Sequence, residues 1–362
     1  MAKNKVELGC AQTRGTFILS GKVVGTQSNS FFAEGDTKNG GSYRRVHFGV
    51  EIEEGKIVYL DLFGSTVDQT YFSKRVNGPD GKVKTTTQAV KWADRFKTSK
   101  QLFGEDGYRI IGVTCGCKKI TDSKGKLVND VKYLTPYDAC DEIQNLNDGD
   151  SVFVRGNIVY QTYKDQHRVS FEPQQVSLCK EIDLSDVDYK PNAQFTQALV
   201  LQSVTPDKEN GEYIVNANIV NYDTVEESEF YIKKEFSRLA KTLAKQGKYT
   251  HVKVFGRIAV EGDVAPVEES GDWGMSTNPM ERVQSPFTRK LIIEGAYSDS
   301  VDKTTYSEEV IEHAIEVANS IKNAKSDYGK SDDDDNEDWG SKPNVKGNLD
   351  DEDDDFGLEL GI

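Results

Sequence analysis

The chain has 362 residues, with 45 basic and 60 acidic side chains, a formal net charge of −15 and 36% hydrophobic residues. This length allows two domains of ordinary size, each with its own core. Five cysteines, no signal segment and no apolar run long enough to cross a bilayer argue against a disulfide scaffold and a membrane protein, and we expect a cytoplasmic location.

The charge is distributed unevenly along the chain. Residues 1–137 hold 22 Lys or Arg against 14 Asp or Glu, whereas residues 331–362 hold 13 Asp or Glu against two Lys. A basic segment combined with an acidic tail is typical of nucleic-acid binders. A tail that serves solubility alone is the alternative interpretation.

The first sixty residues predict a curved sheet. Residues 15–26 read as a strand, and the Gly-, Ser- and Asn-rich residues 27–42 read as a loop. Residues 43–52 and 57–63 alternate inward apolar with outward polar and aromatic positions around a tight turn, which is the pattern of a half-buried hairpin. The adjacent Phe31 and Phe32 either cover the core or stack on bases.

The next segment predicts a basic insertion. Residues 67–84 read as a basic hairpin loop, residues 87–100 as a helix capped by Thr87, and residues 108–120 as a strand. A second helix is expected over residues 135–146, because its Thr-Pro start supplies a cap and a first helical residue without a hydrogen-bond requirement.

A ten-residue pattern occurs twice, at residues 150–159 and 250–259. Both copies place apolar residues at every second position, and both interrupt the alternation with a glycine, Gly156 or Gly256. A glycine inside a strand indicates a bend or a close backbone approach, as in small barrels where one strand turns a corner. The repetition predicts two copies of one structural unit.

The remaining elements complete both copies. After the first pattern, residues 160–166 read as a polar turn. The elements expected after it are a closing strand at 168–178, strands at 193–204, 213–220, 229–233, 252–260 and 288–296, and helices at 236–246 and 307–324. The last helix is expected to present Val310, His313, Ala314, Val317 and Ile321 to the barrel.

The order strand, strand, strand, helix, strand, strand is that of the OB-fold, a five-stranded Greek-key barrel. We therefore predict a mainly β protein with two tandem OB-fold domains, short helices and a disordered acidic C-terminal tail. The expected boundaries are a first domain with a basic insertion at 1–180, a linker at 181–192, a second domain with a C-terminal helix at 193–325 and the tail at 326–362.

No catalytic signature is present. The chain has no phosphate-binding glycine loop and no nucleophile elbow, and its four histidines share no spacing. Cys115, Cys117 and Cys140 supply three sulfur ligands, whereas zinc requires four. We therefore expect no enzymatic activity, no metal and no cofactor.

The outer faces of the predicted strands combine aromatic and basic side chains, which suit the bases and phosphates of a single strand. In the second copy, Tyr222, Lys253 and Trp273 are further candidates. The principal candidate nucleic-acid-binding residues are Lys22, Arg44, Arg45, His47, Tyr59, Phe63, Tyr71, Lys74, Arg75, Tyr163, Lys164, Arg168, Tyr231, Lys233 and Arg257.

With its predicted barrels and an acidic tail that contains Asp353-Asp354-Asp355-Phe356, the chain resembles the single-stranded DNA-binding proteins of bacteria and their phages. Its tandem-barrel size is more similar to large-phage replication proteins. In this sequence six residues follow the phenylalanine, so Leu358, Leu360 and Ile362 are added to the candidate tail contacts.

The resemblance implies binding and protection of single-stranded DNA in replication, recombination and repair. It also implies a tail that competes with DNA and recruits partner proteins, and a bacterial host cell as the setting if a phage encodes the chain. The alternatives are a phage structural or assembly protein made of two β-domains and a single-stranded RNA-binding protein.

Overall fold

Strands dominate the computed structural model, which describes residues 8–37, 40–77, 83–101, 107–163, 166–261 and 288–328. The strands of the first half are β1 (Gly15–Val24), β2 (Phe32–Asp36), β3 (Ser42–Glu53), β4 (Lys56–Ser65), β5 (Gln69–Asn77), β6 (Val83–Lys91), β7 (Arg109–Ile110), β8 (Val113–Gly116), β9 (Lys119–Thr121), β10 (Leu127–Asn129), β11 (Lys132–Leu134), β12 (Ser151–Tyr163) and β13 (Gln166–Leu178). Those of the second half are β14 (Asn192–Pro206), β15 (Tyr213–Val220), β16 (Val225–Ile232), β17 (His251–Glu261) and β18 (Thr288–Ala296). The α-helices are α1 (Arg95–Gln101), α2 (Pro136–Ile143), α3 (Ser237–Ala244) and α4 (Glu308–Tyr328). Within the described residues, none of these helices is both long and apolar enough to span a membrane.

The second half forms a closed five-stranded barrel. β14 pairs with β15, β15 with β16, β16 in parallel with β18, β18 with β17, and β17 again with β14. This is the strand order of an OB-fold, and α3 lies between its third and fourth strands as the fold requires.

The first half repeats this arrangement around a large insertion. β1 pairs with β3 and β12, β3 with β4, and β12 with β13, while β13 lies beside β4. α2 covers one end of the barrel and packs closely on Gly64 of β4. A Cβ at Gly64 would lie only 2.1 Å from the backbone nitrogen of Tyr137 in this helix. The Thr135 side chain caps α2 by accepting a hydrogen bond from the Asp138 N–H, as the sequence predicts.

The repeated glycines have the same role in both barrels, which confirms the prediction of a duplicated unit. A Cβ on Gly156 would lie 2.0 Å from the Glu172 carbonyl oxygen, and one on Gly256 would lie 1.9 Å from the Ile292 carbonyl oxygen. At both positions the strand register shifts by a bulge, at Arg155/Gly156 and at Phe255/Gly256. Only a residue without a side chain allows the two strands to approach closely at this bend.

The two barrels are joined through their first strands and share one core. β1 and β14 are antiparallel neighbours, and Phe17 lies opposite Phe195 in the ladder. Phe17 contacts Phe171 at a ring-centroid distance of 5.2 Å, and Phe230 contacts both Phe195 and Tyr160 at 6.3 Å. Because rings from both halves belong to one buried cluster, the barrels form a single packed unit.

The insertion differs from the prediction in two places. Thr87 lies inside β6, which pairs along its length with β5, and the chain becomes helical only in a short 3-10 turn at Trp92–Asp94 before α1. The run of β-branched threonines favours a strand over the predicted helix cap. The strand expected over 108–120 is divided into β7, β8 and β9, because Gly112 packs against the Leu134 backbone between the first two.

Other boundaries are corrected locally. The predicted loop 27–42 contains β2, and the polar turn expected over 160–166 is largely the continuation of β12 and the start of β13. Phe31 is buried against Phe48, so it covers the core. The third strand of the second barrel begins at Val225, four residues before its predicted start at Glu229.

The predicted apolar stripe of α4 is confirmed at Ala314, Val317 and Ile321, which pack in one cluster with Val220 of the second barrel, and is wrong at His313. Ile311, Ala314 and Ala318 are its buried residues, whereas His313 is exposed. The helix continues to Tyr328, beyond the predicted start of the tail at residue 326, and the rest of that tail lies outside the described residues.

Candidate nucleic-acid interface

The outward side chains of β3 and β4 form what we call the aromatic face, made of Tyr43, Arg45, His47, Tyr59, Asp61 and Phe63. Strand alternation places them outward, because Val46, Phe48, Leu60 and Leu62 between them are at most 1% exposed and fill the core. In the ladder Arg45 lies opposite Phe63, and His47 lies opposite Asp61. These two strands are the second and third of an OB barrel, which commonly carry its ligand site.

Two pairs of stacked rings define the shape of this face. Tyr43 and Phe63 have ring centroids 5.7 Å apart with planes inclined by 21°. His47 and Tyr59 are 5.4 Å apart and nearly parallel, at 3°. The two pairs are separated by about 13 Å along β3, since Tyr43 and His47 are four residues apart. Tyr59 is 45% exposed, so one face of its ring is available to a ligand.

An ion pair lies between the two ring pairs. The Arg45 guanidinium donates two hydrogen bonds to the Asp61 carboxylate, one of them at 2.8 Å from Nε to Oδ1. The Asp61 Oδ2 also lies 3.6 Å from the His47 Nδ1. Burial raises the pKa of Asp61, but the hydrogen bonds and charges of Arg45 and His47 outweigh it and keep the pKa below its usual value. The two hydrogen bonds to Asp61 thereby hold the Arg45 guanidinium in one orientation beside the rings.

Two residues from distant parts of the chain border the aromatic face and were not found by sequence reasoning. Arg289, from the start of β18, lies 5.9 Å over the Phe171 ring and interacts electrostatically with Tyr59. Glu172 on β13 is half-buried. Its pKa is raised, mainly by burial and to a smaller extent by the charge of Asp61. No local sequence signal could have identified Arg289, because only the packing of the second barrel on β4 brings it here.

Two predicted residues of the first barrel lie elsewhere. Arg44 follows the inward alternation of β3 and reaches α2, where it pairs with Asp141 at 2.5 Å and lies 4.3 Å over the Tyr137 ring. Its predicted place on the outer face is therefore wrong. Lys22 lies opposite Glu51 and borders a cleft. The other acidic side chains of this cleft are Glu54, Glu181 and Asp183.

The remaining first-half candidates that the structure describes lie outside the aromatic face. On β5, Tyr71 and Arg75 share one side of the sheet, and Lys74 faces the other side, 5.8 Å from the Tyr108 ring. Arg168 is exposed on β13. Tyr163 ends β12, and the structure describes only its backbone, while Lys164 lies outside the described residues.

The corresponding face of the second barrel has a different character. Glu227 and Glu229 are exposed on β16, and the outward Val220 and Val225 lie beneath α4. The Tyr231 hydroxyl donates to the Glu229 carboxylate at 3.1 Å. This face is acidic and partly covered, so it does not repeat the aromatic face.

The two principal basic candidates of the second barrel lie beside carboxylates. Lys233 pairs with Glu261 at 2.6 Å and also with Glu212. Arg257 pairs with Glu294 at 3.0 Å but keeps half of its side chain exposed. Lys253 lies 5.3 Å from the Tyr297 ring, and Tyr222 is half-buried. Trp273 and the tail candidates Asp353, Asp354, Asp355, Phe356, Leu358, Leu360 and Ile362 lie outside the described residues.

The cysteines that could have formed a metal site are buried in the first barrel. Burial is the main cause that raises the pKa of Cys140, to about 12, and its thiol donates to the Leu62 carbonyl oxygen at 3.6 Å. Cys115 and Cys117 are also buried. In the part of the chain that the structure describes, no group of three or more His, Cys, Asp or Glu side chains is arranged to hold a metal ion.

Comparison with known proteins gives one family and a distant structural similarity. The model of the YorF family matches residues 21–331. No curated protein matches the sequence. Among solved structures, the wild-type single-stranded DNA-binding protein from Thermus aquaticus and a deletion mutant of it are similar, each with a TM-score of 0.35 and 11% identity. They cover 79% of this chain, and the alignments span 93% and 94% of their own chains.

Proposed function

The chain belongs to the YorF family, and we propose that it binds single-stranded DNA on the aromatic face of its first barrel. The observation that carries this proposal is the pair of ring stacks on either side of the Arg45 guanidinium, on the two strands that OB barrels commonly use for ligands.

The chemistry of this face fits unpaired bases. Each exposed ring offers a planar apolar surface, and a base stacked on such a ring contributes about 1–3 kcal/mol with little sequence preference. In duplex DNA the base faces are already stacked on one another, so they are not available to Tyr59 or Phe63. We therefore expect a preference for single strands over duplex.

Phosphate neutralisation would come mainly from outside the ring stacks. On the aromatic face, Arg45 and His47 are balanced in part by Asp61, and Glu172 lies close by. The insertion that follows β4 is richer in cations, because residues 66–134 contain 14 Lys or Arg against seven Asp or Glu. A strand that extends from the rings toward the insertion would release counterions there, which makes affinity depend on salt.

We extend the proposal to a cellular role. The protein coats and protects single-stranded DNA during replication, recombination and repair, without an enzymatic step. Residues 329–362 then act as an anionic competitor for the basic surface and as the recruiting segment for partner proteins. This part rests on the composition of the tail and on its resemblance to the tails of bacterial and phage single-stranded DNA-binding proteins.

A titration with three matched ligands tests the function. The full chain is mixed with labelled single-stranded DNA, single-stranded RNA and duplex DNA of one sequence, and anisotropy is measured at several salt concentrations. We expect the tightest binding to single-stranded DNA. Equal or tighter binding to RNA would replace the proposal with the RNA-binding alternative, and no salt-dependent binding to any of the three would overturn it in favour of a structural role.

A second experiment tests the tail. Deletion of residues 331–362, which removes 13 acidic and two basic side chains, should tighten binding, most strongly at low salt. The matched control replaces the same acidic residues by Asn and Gln at full length, and it should have the same effect. Unchanged affinity at every salt concentration would contradict competition by the tail.

A further inference from the structure

The junction of the two barrels presents a broad outward surface on β12, β1, β14 and β17, which we call the junction face. The strand registers place Arg155 opposite Ile18, Ile18 opposite Gln194, and Gln194 opposite Arg257. Residues directly opposite in a ladder point to the same side of a sheet, so these four side chains form one row. With strands about 4.8 Å apart, Arg155 and Arg257 are roughly 14 Å from each other.

A second row carries an exposed aromatic ring. Phe255 lies opposite Thr196 in the β14–β17 ladder, and its side chain is 40% exposed. The ring extends across Gly295, where a Cβ would come within 2.1 Å of it, and it meets the Tyr297 ring edge-to-face at 5.2 Å. The glycine thus provides the space for a large, outward apolar ring that is held in one orientation.

Along β17 the outward positions alternate between aromatic and cationic side chains. The order is His251, Lys253, Phe255, Arg257, which spans about 20 Å at the usual rise of a strand. His251 is itself stacked on Tyr306 at 5.3 Å. Rings interleaved with cations at this spacing are the arrangement that single-stranded nucleic acid requires, because its bases and phosphates alternate along the backbone.

The charge of the junction face is of one sign. In the paired region of the four strands, no described outward-facing residue is acidic, while Arg155, Lys253 and Arg257 are cationic. Carboxylates lie at the borders of this region: Glu294 on β18 pairs with Arg257, Glu172 on β13 lies opposite Asn157, and Glu261 ends β17. A negatively charged polymer therefore meets little repulsion on this surface.

The junction face is connected to the first barrel by a cleft of about 280 Å³. The walls of the cleft include two cations, Lys56 from the turn between β3 and β4 and Arg257 from the junction face. They also include two carboxylates, Glu53, which pairs with Lys56, and Glu261. Tyr59 lies three residues beyond Lys56 on β4. A strand that leaves the aromatic face at Tyr59 could therefore pass these two cations and reach Phe255.

We propose that the junction face is a second contact surface for the same single-stranded DNA, with Phe255 as its stacking platform and Arg155 and Arg257 as its phosphate contacts. This inference rests on the proposed function, and it assigns the role of the second barrel to β17 instead of its acidic, partly covered β15–β16 face. A second copy of the chain is the competing occupant. Charge favours the polynucleotide, since two junction faces would bring like charges together.

Oligonucleotide length provides the test. A single OB barrel covers about 4–16 nucleotides, so a ligand of about 8 nucleotides can occupy the aromatic face alone, whereas one of about 30 can reach both surfaces. Phe255→Ala should weaken binding of the long ligand roughly tenfold and leave the short one unchanged. Arg155→Gln, at an exposed position where folding is not at risk, should lower the salt slope for the long ligand by about 0.7.

The controls separate this inference from the proposed function. Ile315→Ala shortens an exposed apolar side chain on α4, outside the first barrel and its insertion, and Lys245→Gln removes an exposed cation after α3; neither should change binding at either length. If the wild type binds no oligonucleotide, the proposed function fails. If Tyr59→Ala weakens both ligands while Phe255→Ala and Arg155→Gln change neither, the junction face alone is excluded. A change of oligomeric state by light scattering in Phe255→Ala, with unchanged affinity for the long ligand, would assign the surface to self-association.

Discussion

Replacement of Tyr59 by alanine is the most direct perturbation of the aromatic face. The Tyr59 ring is 45% exposed, and one of its faces is already occupied by His47 at a centroid distance of 5.4 Å. Only one face remains for a base, so the variant loses one stacking interaction, worth about 1–3 kcal/mol. His47 persists as a smaller platform, which places the loss near 1.4 kcal/mol, roughly tenfold in Kd.

The assay separates stacking from charge and from folding. Anisotropy with labelled oligo-dT is measured over a range of salt concentrations, and the slope of log K against log salt should match that of the wild type, because Tyr59 carries no charge. The Tyr59 side chain points outward, so the free energy of unfolding, measured by thermal denaturation, should change by less than about 1 kcal/mol. Ile315→Ala, which shortens a 37% exposed apolar side chain on α4, outside the first barrel and its insertion, is the control and should leave the Kd unchanged.

Two results would refute the reasoning. An unchanged Kd for Tyr59→Ala, with a folded protein and a wild type that binds, would show that no base stacks on this ring. An equal loss in Ile315→Ala would show that any exposed apolar side chain contributes and that the aromatic face has no special role.

Three further predictions follow from the same geometry. Asp61→Asn removes the carboxylate that pairs with Arg45, so single-stranded DNA should bind a few-fold more tightly and the salt slope should steepen by about 0.7; weaker binding with intact folding would contradict this. Gly156→Ala and Gly256→Ala each place a Cβ about 2 Å from a carbonyl oxygen, which should cost about 3 kcal/mol and lower Tm by roughly 6–12 °C; an unchanged Tm would show that the bend can relax. Burial and the Asp61 charge raise the folded-state pKa of Glu172 above its unfolded value, so the ionised carboxylate destabilises the folded protein at neutral pH. Glu172→Gln removes this penalty. Tm should therefore rise at pH 7, and the gain should shrink as pH falls through the raised pKa and vanish below about pH 4; a gain that is independent of pH would have another cause.

The candidate site was only partly predictable from the sequence. Alternation in β3 and β4 correctly places Arg45, His47, Tyr59 and Phe63 on the outside, because a side-chain period of two leaves no other choice once the core residues are known. The same period should have excluded Arg44, which has the inward parity of Val46. The alternation of His251, Lys253, Phe255 and Arg257 was also visible in the sequence, but whether those side chains meet solvent was not.

The sequence by itself determined the features that depend on neighbours along the chain. These are the strand periods, the cap at Thr135, the repeated glycine of Gly156 and Gly256, and the acidic composition of the end. The tertiary structure decided which faces are open. It brought Arg289 to Tyr59, placed α4 over Val220 and Val225, and aligned Arg155 with Arg257 across four strands. Local backbone preferences act over a few residues, whereas exposure and charge environment are set by the packing of segments that are far apart in the chain.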